Sequence, residues 1–93
     1  MVQYFQILYR RKTMSLKDAI LKRINELCEA HRLTINGLAD LCGITQSTLS
    51  SSFNMKNVTP SVYTIKKICD GLGITLKDFF DTEYFDDLEQ EIK

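Results

Sequence analysis

The side chains with the most distinctive chemistry form one uncharged, polar run from Thr45 to Asn54. If this run is helical, with about 100° between residues, Leu49 and Phe53 share one face. The opposite face and its flanks then carry only hydroxyls and one amide: Ser47, Thr48, Ser50, Ser51 and Asn54. Gln46 lies in the first turn, where its amide can reach forward past the helix end. Neutral amides and hydroxyls pair with base edges in the major groove of DNA, whereas a solvated helix face normally carries Lys, Glu and Arg. The run therefore indicates either a base-reading surface or a serine-rich surface helix without a ligand.

Residues for catalysis or metal binding are few and unsuitably spaced. His31 is the only histidine, so nucleophilic catalysis has one candidate base and no identifiable third member. The three cysteines, Cys28, Cys42 and Cys69, form no C-x-x-C pair and no zinc signature. Their apolar neighbours at helical spacing favour buried structural thiols, and we expect His31 to be partly buried as well. We expect no catalytic site, no metal and no cofactor.

Length and composition indicate one small helical domain. The chain has 93 residues, and single domains run from about 50 to 250 residues. Four glycines and one proline, with 44% hydrophobic and 26% charged residues, favour a folded helical chain over a turn-rich β fold. No apolar run approaches the ~18 residues of a membrane span. Basic residues follow the apolar start of the chain, the reverse of a secretory signal, so we expect a cytoplasmic protein without membrane contact.

The formal net charge is zero, but it is unevenly distributed along the chain. Residues 1–77 hold 11 of the 12 Lys and Arg and five of the 12 acids, a net charge of +6. Residues 78–93 hold the other seven acids and Lys93, a net charge of −6. The asymmetry is typical of a polyanion-binding body with an acidic tail, and it is equally compatible with a solvated basic face and a solvated tail.

Capping residues and apolar periodicity predict five short helices. Ser15, three residues before Asp18, predicts a capping box for the first helix, whose apolar stripe runs from Ile20 to His31. Four further apolar-periodic segments follow hydroxyl residues that suit N-caps, namely Thr34, Thr45, Ser61 and Thr75. The stripes of the second and fourth helices are Ile35, Leu38, Ala39, Leu41 and Cys42, and Val62, Ile65, Ile68, Cys69 and Leu72.

Glycines and paired apolar residues mark the ends of these helices. Gly43 is predicted to end the second helix, and Gly71 with Gly73 to end the fourth. Two hydrophobic staples are predicted across helix starts, Ile44 with Leu49 and Ile74 with Phe79. Thr75 and Asp78 predict a second capping box, which opens a fifth helix of one or two turns.

The two ends of the chain are less regular. Val2 to Tyr9 is apolar and aromatic without a clean period, and a strand, an ordered arm and a segment upstream of a start at Met14 all stay open. From Thr82, Phe85, Leu88 and Ile92 follow at helical spacing, which predicts a sixth amphipathic helix that packs on the body or on a second copy of the chain.

Residues 33–80 resemble the Cro/C1-type helix-turn-helix family, also called the XRE family, of bacterial and phage regulators. The similarity runs through LTINGLADLCGITQSTLSSSFN, a loop, and TPSVYTIKKICDGLGITLKDFF. Ala39 matches the small position of the first motif helix and Gly43 matches the turn. The resemblance implies an all-α fold, a compact five-helix lambda-repressor-like domain at 15–80. A short N-terminal extension at 1–14 and an acidic C-terminal tail at 81–93 would flank it.

The resemblance also implies a function: a sequence-specific regulator of transcription, expected to be a repressor, that binds double-stranded DNA through a recognition helix at 45–54. It implies a homodimer on a pseudo-palindromic operator. The implied base-edge residues are Gln46, Ser47 and Ser51, flanked by Thr48 and Ser50, with Thr45 at a base or a phosphate. The implied backbone-positioning residues are Thr34, Asn36, Asn54, Lys56 and Asn57.

Two residues depart from the family pattern. Ser52 occupies a position that usually holds an aliphatic residue beneath the recognition helix, so either the packing is weaker there or the hydroxyl bonds back to the preceding turn. Met55 stands where the loop often has glycine, which leaves the placing of Lys56 open.

An interaction module is the competing interpretation. Tyr84, Phe85 and Leu88 lie among six acids, a composition that suits an antitoxin-like or anti-regulator protein whose tail grips a protein partner. The two interpretations overlap, because antitoxins often bind DNA as well.

Overall fold

Five α-helices and one turn of 3₁₀ helix make up the described part of the chain, residues 14–92 of a computed structural model. The helices are α1 (Leu16–Ala30), α2 (Ile35–Cys42), α3 (Gln46–Asn54), α4 (Val62–Leu72) and α5 (Leu76–Phe80), and the 3₁₀ turn spans Glu83–Asp86. The all-α, five-helix fold predicted from the sequence is confirmed. The open question on Val2 to Tyr9 falls outside the described residues.

Each α-helix begins behind a hydroxyl side chain that accepts a hydrogen bond from the backbone N–H three residues later. The caps, with the oxygen-to-nitrogen distances, are Ser15 (3.1 Å), Thr34 (2.9 Å), Thr45 (3.2 Å), Ser61 (3.1 Å) and Thr75 (3.0 Å). Thr75 and Asp78 form the complete capping box, since the carboxylate of Asp78 also accepts from the N–H of Thr75. These bonds satisfy donors that the first turn of a helix leaves without partners. Because each bond joins residues three apart, a short stretch of sequence is enough to predict where the helix starts.

Two glycines in the left-handed conformation turn the chain between helices. Gly43 has φ +68° and Gly73 has φ +73°, a region in which a β-carbon is strained. The N–H of Ile44 bonds to the carbonyl of Ala39, which closes α2 before α3 begins. The predicted role of Gly43 as the turn between α2 and α3 is therefore observed.

The core lies between α1, the α2–α3 pair and α4, and α5 closes one end. Ile24, Leu38, Leu49, Ile68 and Phe79 are fully enclosed. α2 packs against α1, α3 and α4, and α5 packs against α4. This arrangement leaves the outer side of α3 uncovered. None of the helices within residues 14–92 combines the length and the apolar character that a membrane crossing needs.

Gly71 corrects the sequence prediction, because it lies inside α4 and does not end it. A β-carbon at Gly71 would be 3.3 Å from both Cα and Cβ of Cys42 and would overlap the Sγ. The glycine is therefore required by the close approach of α4 to α2, and helix ending falls to Gly73 alone.

Gly71→Ala is expected to destabilise the protein by about 1 kcal/mol. Alanine usually gains up to about 1 kcal/mol over glycine in a helix, but overpacking costs about 1–3 kcal/mol. Urea unfolding measures the change. In a Cys42→Ala background, Gly71→Ala should lower the free energy of unfolding by less than it does in the parent, since the overlapping sulfur is gone. A Gly71→Ala variant more stable than the parent would contradict the close packing.

Three side chains expected to be inside are exposed. Val62 is 68% exposed and Leu41 is 54% exposed, and His31 lies on the surface directly after α1. Val62 opens α4, and His31 follows the last turn of α1, so neither lies in the stretch of helix that its neighbours cover. Leu41 falls on the far edge of the α2 stripe, about 60° from Leu38.

The expected sixth helix is replaced by the single 3₁₀ turn, and the chain beyond it has no regular structure up to residue 92. Thr82 provides no side-chain cap for this turn. Acids spaced four apart, Glu83 with Asp87 and Asp87 with Glu91, would repel on a helix. Phe85 instead packs on the core, with its ring centroid 5.0 Å from that of Phe80.

Two polar contacts hold the C-terminal part against α1. The guanidinium of Arg23 donates to the carbonyls of Phe79 (2.6 Å) and Asp78 (2.8 Å), which caps the end of α5. The hydroxyl of Tyr84 donates to a carboxylate oxygen of Glu26 at 2.7 Å. Burial, and then the hydrogen bond to Glu26, raises the pKa of Tyr84 to about 12.

This shift predicts a loss of stability at alkaline pH. A raised folded-state pKa stabilises the fold below pH 10, the ordinary pKa of tyrosine, and that contribution is lost as the pH rises through about 12. An absorbance titration near 295 nm should show a late ionisation that Tyr84→Phe removes and Tyr63→Phe retains. Loss of stability between pH 10 and 12 should likewise be steeper in the parent than in Tyr84→Phe. An unchanged titration in Tyr84→Phe would contradict the assignment.

Candidate nucleic-acid interface

Helix α3 is anchored by its inner side and presents a polar outer side. Leu49 is fully buried and Ser52 is 2% exposed, while Phe53 packs partly on the core. On the outer side Thr45, Gln46, Ser47, Thr48 and Asn54 are exposed, and Ser50 and Ser51 are half-buried. The buried side holds α3 on the framework of α1, α2 and α4, so the polar side chains project from a fixed helix.

Hydrogen bonds within this outer side restrict several of its hydroxyls. The hydroxyls of Thr45 and Thr48 lie 2.6 Å apart and share a hydrogen bond. The hydroxyl of Ser51 donates to the carbonyl of Ser47 at 2.7 Å. Because its proton is used, Ser51 offers lone pairs to an incoming group and acts as an acceptor there.

The start of α2 belongs to the helix that packs against α3 in the helix-turn-helix pair. Thr34 and Asn36 are both exposed, and the Thr34 hydroxyl caps α2 by accepting from the N–H of Gly37. The remaining first-turn N–H groups and the helix dipole favour a negative group at this end. The two residues therefore suit contact with a phosphate.

The loop after α3 is held in place by a residue that the sequence reasoning missed. The ammonium of Lys17 in α1 donates to the carbonyls of Met55 (2.5 Å) and Lys56 (3.0 Å). Met55 is extended, with φ −110°, so the loop does not need glycine at this position. Lys56 and Asn57 are exposed on the loop beside Asn54. No local pattern points to Lys17, because the contact joins residues 38 and 39 positions apart.

A surface cleft of about 320 Å³ separates this loop from the start of α1. Its lining residues are Ser15, Leu16, Lys17, Lys56, Asn57, Thr59 and Glu91. Glu91 of the acidic segment lines this cleft together with Lys56, and the N–H of Glu89 donates to the carbonyl of Met14. No residue of α3 lines this cleft, and Gln46, Ser47 and Thr48 on the outer side of α3 are exposed with the acidic segment in place up to residue 92.

The residues considered for other chemistry are not arranged for it. Cys28 and Cys69 are buried and Cys42 is half-buried, all three as free thiols. Burial raises the pKa of each of these thiols, which opposes formation of the reactive thiolate. Within residues 14–92, no three His, Cys, Asp or Glu side chains are grouped so as to hold a metal ion.

A helix, a left-handed glycine turn and a second helix with an outward polar side define the helix-turn-helix class of DNA-binding domains. The family model described as Cro/C1-type HTH DNA-binding domain matches residues 23–84, and the chain belongs to this family. The resemblance seen in the sequence is thereby confirmed. The membership supports binding to double-stranded DNA.

A solved structure gives the same answer for the fold. The chain is 33% identical to the prophage Lp1 protein 11, known from a crystal structure, with a TM-score of 0.72. The match covers 81% of this chain and 99% of that chain. No curated protein matches the chain at a significant level.

Proposed function

We propose that this DNA-binding protein is a sequence-specific regulator of transcription, a repressor, that reads the major groove with residues 45–54. The observation that carries the proposal is the uncharged outer side of α3, exposed while Leu49 anchors the helix beneath it. Short hydroxyl side chains let the helix approach the floor of the groove, and a glutamine amide pairs with two positions of one base.

The proposal divides the surface by role. Gln46, Ser47 and Ser51 contact base edges, with Thr48 and Ser50 beside them and Thr45 at a base or a phosphate. Thr34, Asn36, Asn54, Lys56 and Asn57 contact the sugar-phosphate backbone and set the orientation of the helix. The exposure of the α2 start and of the loop that follows α3 supports this division.

The same proposal includes the assembly and the cell compartment. The protein acts in the cytoplasm as a homodimer on a pseudo-palindromic operator, with half-sites about one helical turn apart. Residues 15–80 form the DNA-binding domain, 1–14 an extension and 81–93 the acidic tail. No cofactor takes part in base readout.

The competing function is binding of a protein partner by the C-terminal tail, and it has less support than the composition of this tail suggested. Two of its three apolar side chains are used within the chain, since Tyr84 bonds to Glu26 and Phe85 packs on Phe80. Leu88 is half-buried. A partner that grips these side chains would have to displace them from the protein's own body.

Selection of bound duplexes from a random pool, with the purified protein, tests the proposed function. The expected result is one enriched motif with two inverted half-sites. Enrichment of no motif, with binding that ignores sequence, would overturn the base-reading role. A single half-site without its inverted copy would overturn the homodimer.

Binding to DNA is expected to weaken steeply with salt. If each protomer neutralises about four phosphates, the logarithm of the binding constant falls with the logarithm of salt at a slope near −3.6 per protomer. Titrations of one duplex at several potassium chloride concentrations measure the slope. Lys56→Ala should make it shallower by about 1, and an unchanged slope in that variant would remove Lys56 from the phosphate contacts.

A further inference from the structure

Asp40 has an unusual place in the helix-turn-helix pair. It is the one charged side chain between Thr34 and Met55 in the sequence. It is exposed in the last turn of α2, where a negative charge is unfavourable because it lies near the negative end of the helix dipole. The ion pairs within residues 14–92 join Lys22 and Arg23 to Glu26 and Lys66 to Asp70, and none includes Asp40.

The contact that Asp40 does make is with Gln46. The amide nitrogen Nε2 of Gln46 lies 3.4 Å from Oδ1 of Asp40, across the turn between α2 and α3. An ionised carboxylate only accepts hydrogen bonds, so it selects the orientation in which the amide NH₂ faces it. The oxygen Oε1 of Gln46 is then directed away from Asp40.

This orientation is compatible with reading adenine. Adenine offers an acceptor at N7 and a donor at N6, which a glutamine matches with Nε2 and Oε1. Nε2 carries two protons, so it can bond to Asp40 through the proton trans to Oε1 and keep the proton cis to Oε1 for N7. Asp40 therefore leaves both base-pairing groups available while it limits the rotation of the side chain.

The charge of Asp40 has an opposite effect on affinity. A carboxylate on a surface that approaches phosphates repels them, so it weakens binding to every sequence. An acid that lowers general affinity while it orients one base-reading amide shifts the balance from affinity towards specificity.

We propose that Asp40 is a positioning residue that determines specificity, because it orients the Gln46 amide for the base it reads. This role rests on the proposed function, since it requires that Gln46 contacts a base. Asp40 itself contacts no base in this proposal and acts through Gln46.

The test compares the binding profiles of the parent, Asp40→Asn, Asp40→Ala and Glu91→Gln on the selected duplex and its single-base variants. Glu91→Gln is the matched control, since it removes one acid from the cleft that Lys56 also lines, and Gln46 does not line this cleft. Both Asp40 variants should bind all duplexes more tightly. The ratio of affinities for the preferred and the other base pairs at one position should also fall by about threefold or more, which is within the range of coupling between contacting residues. Glu91→Gln should tighten binding without changing the profile.

Two further measurements connect the effect to Gln46. In a Gln46→Ala background, Asp40→Asn should cause no further loss of discrimination. In the free protein, the side-chain NH₂ resonances of Gln46 should move in Asp40→Asn and stay in place in Glu91→Gln. A clear preference in the parent with the same profile in the Asp40 variants would overturn only the role of Asp40. A parent without any preference would overturn the proposed function and this role together.

Discussion

Gln46→Ala is expected to lower affinity for the preferred duplex by about 1–3 kcal/mol and to flatten the preference at one base pair. The loss arises because alanine removes both groups that pair with one base while the rest of the surface stays in place. Gln46 is exposed in the first turn of α3, so its removal should not disturb the core. Competition binding with all four base pairs at each operator position measures both effects.

Lys56→Ala is the matched control for this prediction. Lys56 is equally exposed but lies on the loop after α3, where the proposal gives it a phosphate. Its removal should weaken binding to all sequences alike, since phosphates are the same at every base pair. An unchanged sequence preference in Gln46→Ala would mean that this side chain does not read a base.

Phe79→Ala is expected to destabilise the fold by about 3–5 kcal/mol, the usual cost of a phenylalanine removed from a core. Phe79 is fully buried, and its ring centroid lies 4.9 Å from that of Phe80 and 6.4 Å from that of Phe85. α5 has five residues, too few to be stable without packing, so this side chain anchors both α5 and the turn that follows it. The loss is a large fraction of the ~5–15 kcal/mol of a typical domain.

Urea unfolding at neutral pH measures the loss, with Val62→Ala as the control. Val62 is also apolar but is 68% exposed, so its removal should change the free energy of unfolding by no more than about 0.5 kcal/mol. Equal effects of the two substitutions would show that α5 does not contribute to the cooperative core.

The helix starts and the turn of the motif could be predicted from the sequence because their causes are local. Ser61 caps α4 by bonding to an N–H three residues away, and Gly43 takes a conformation that few other residues tolerate. The outward direction of Ser47 follows from helix geometry once Leu49 is known to be inside. Each of these signals acts within one or two turns of chain.

The prediction of a sixth helix after Thr82 was wrong, and the physical reason is also local. The apolar spacing of Phe85, Leu88 and Ile92 suited a helix. The same spacing is equally compatible with a segment in which Phe85 packs on the core and no helix follows. The repulsion between acids and the missing cap at Thr82 decided against a helix.

The residues alone determined the class of fold, the five capped helices and the polar side of α3, since helix caps, apolar periodicity and glycine turns depend on near neighbours in the chain. Only the tertiary structure brought Lys17 to the loop after α3 and Cys42 against Gly71. These contacts depend on the angles at which whole helices pack. Such angles result from many side chains together, and no short stretch of sequence specifies them.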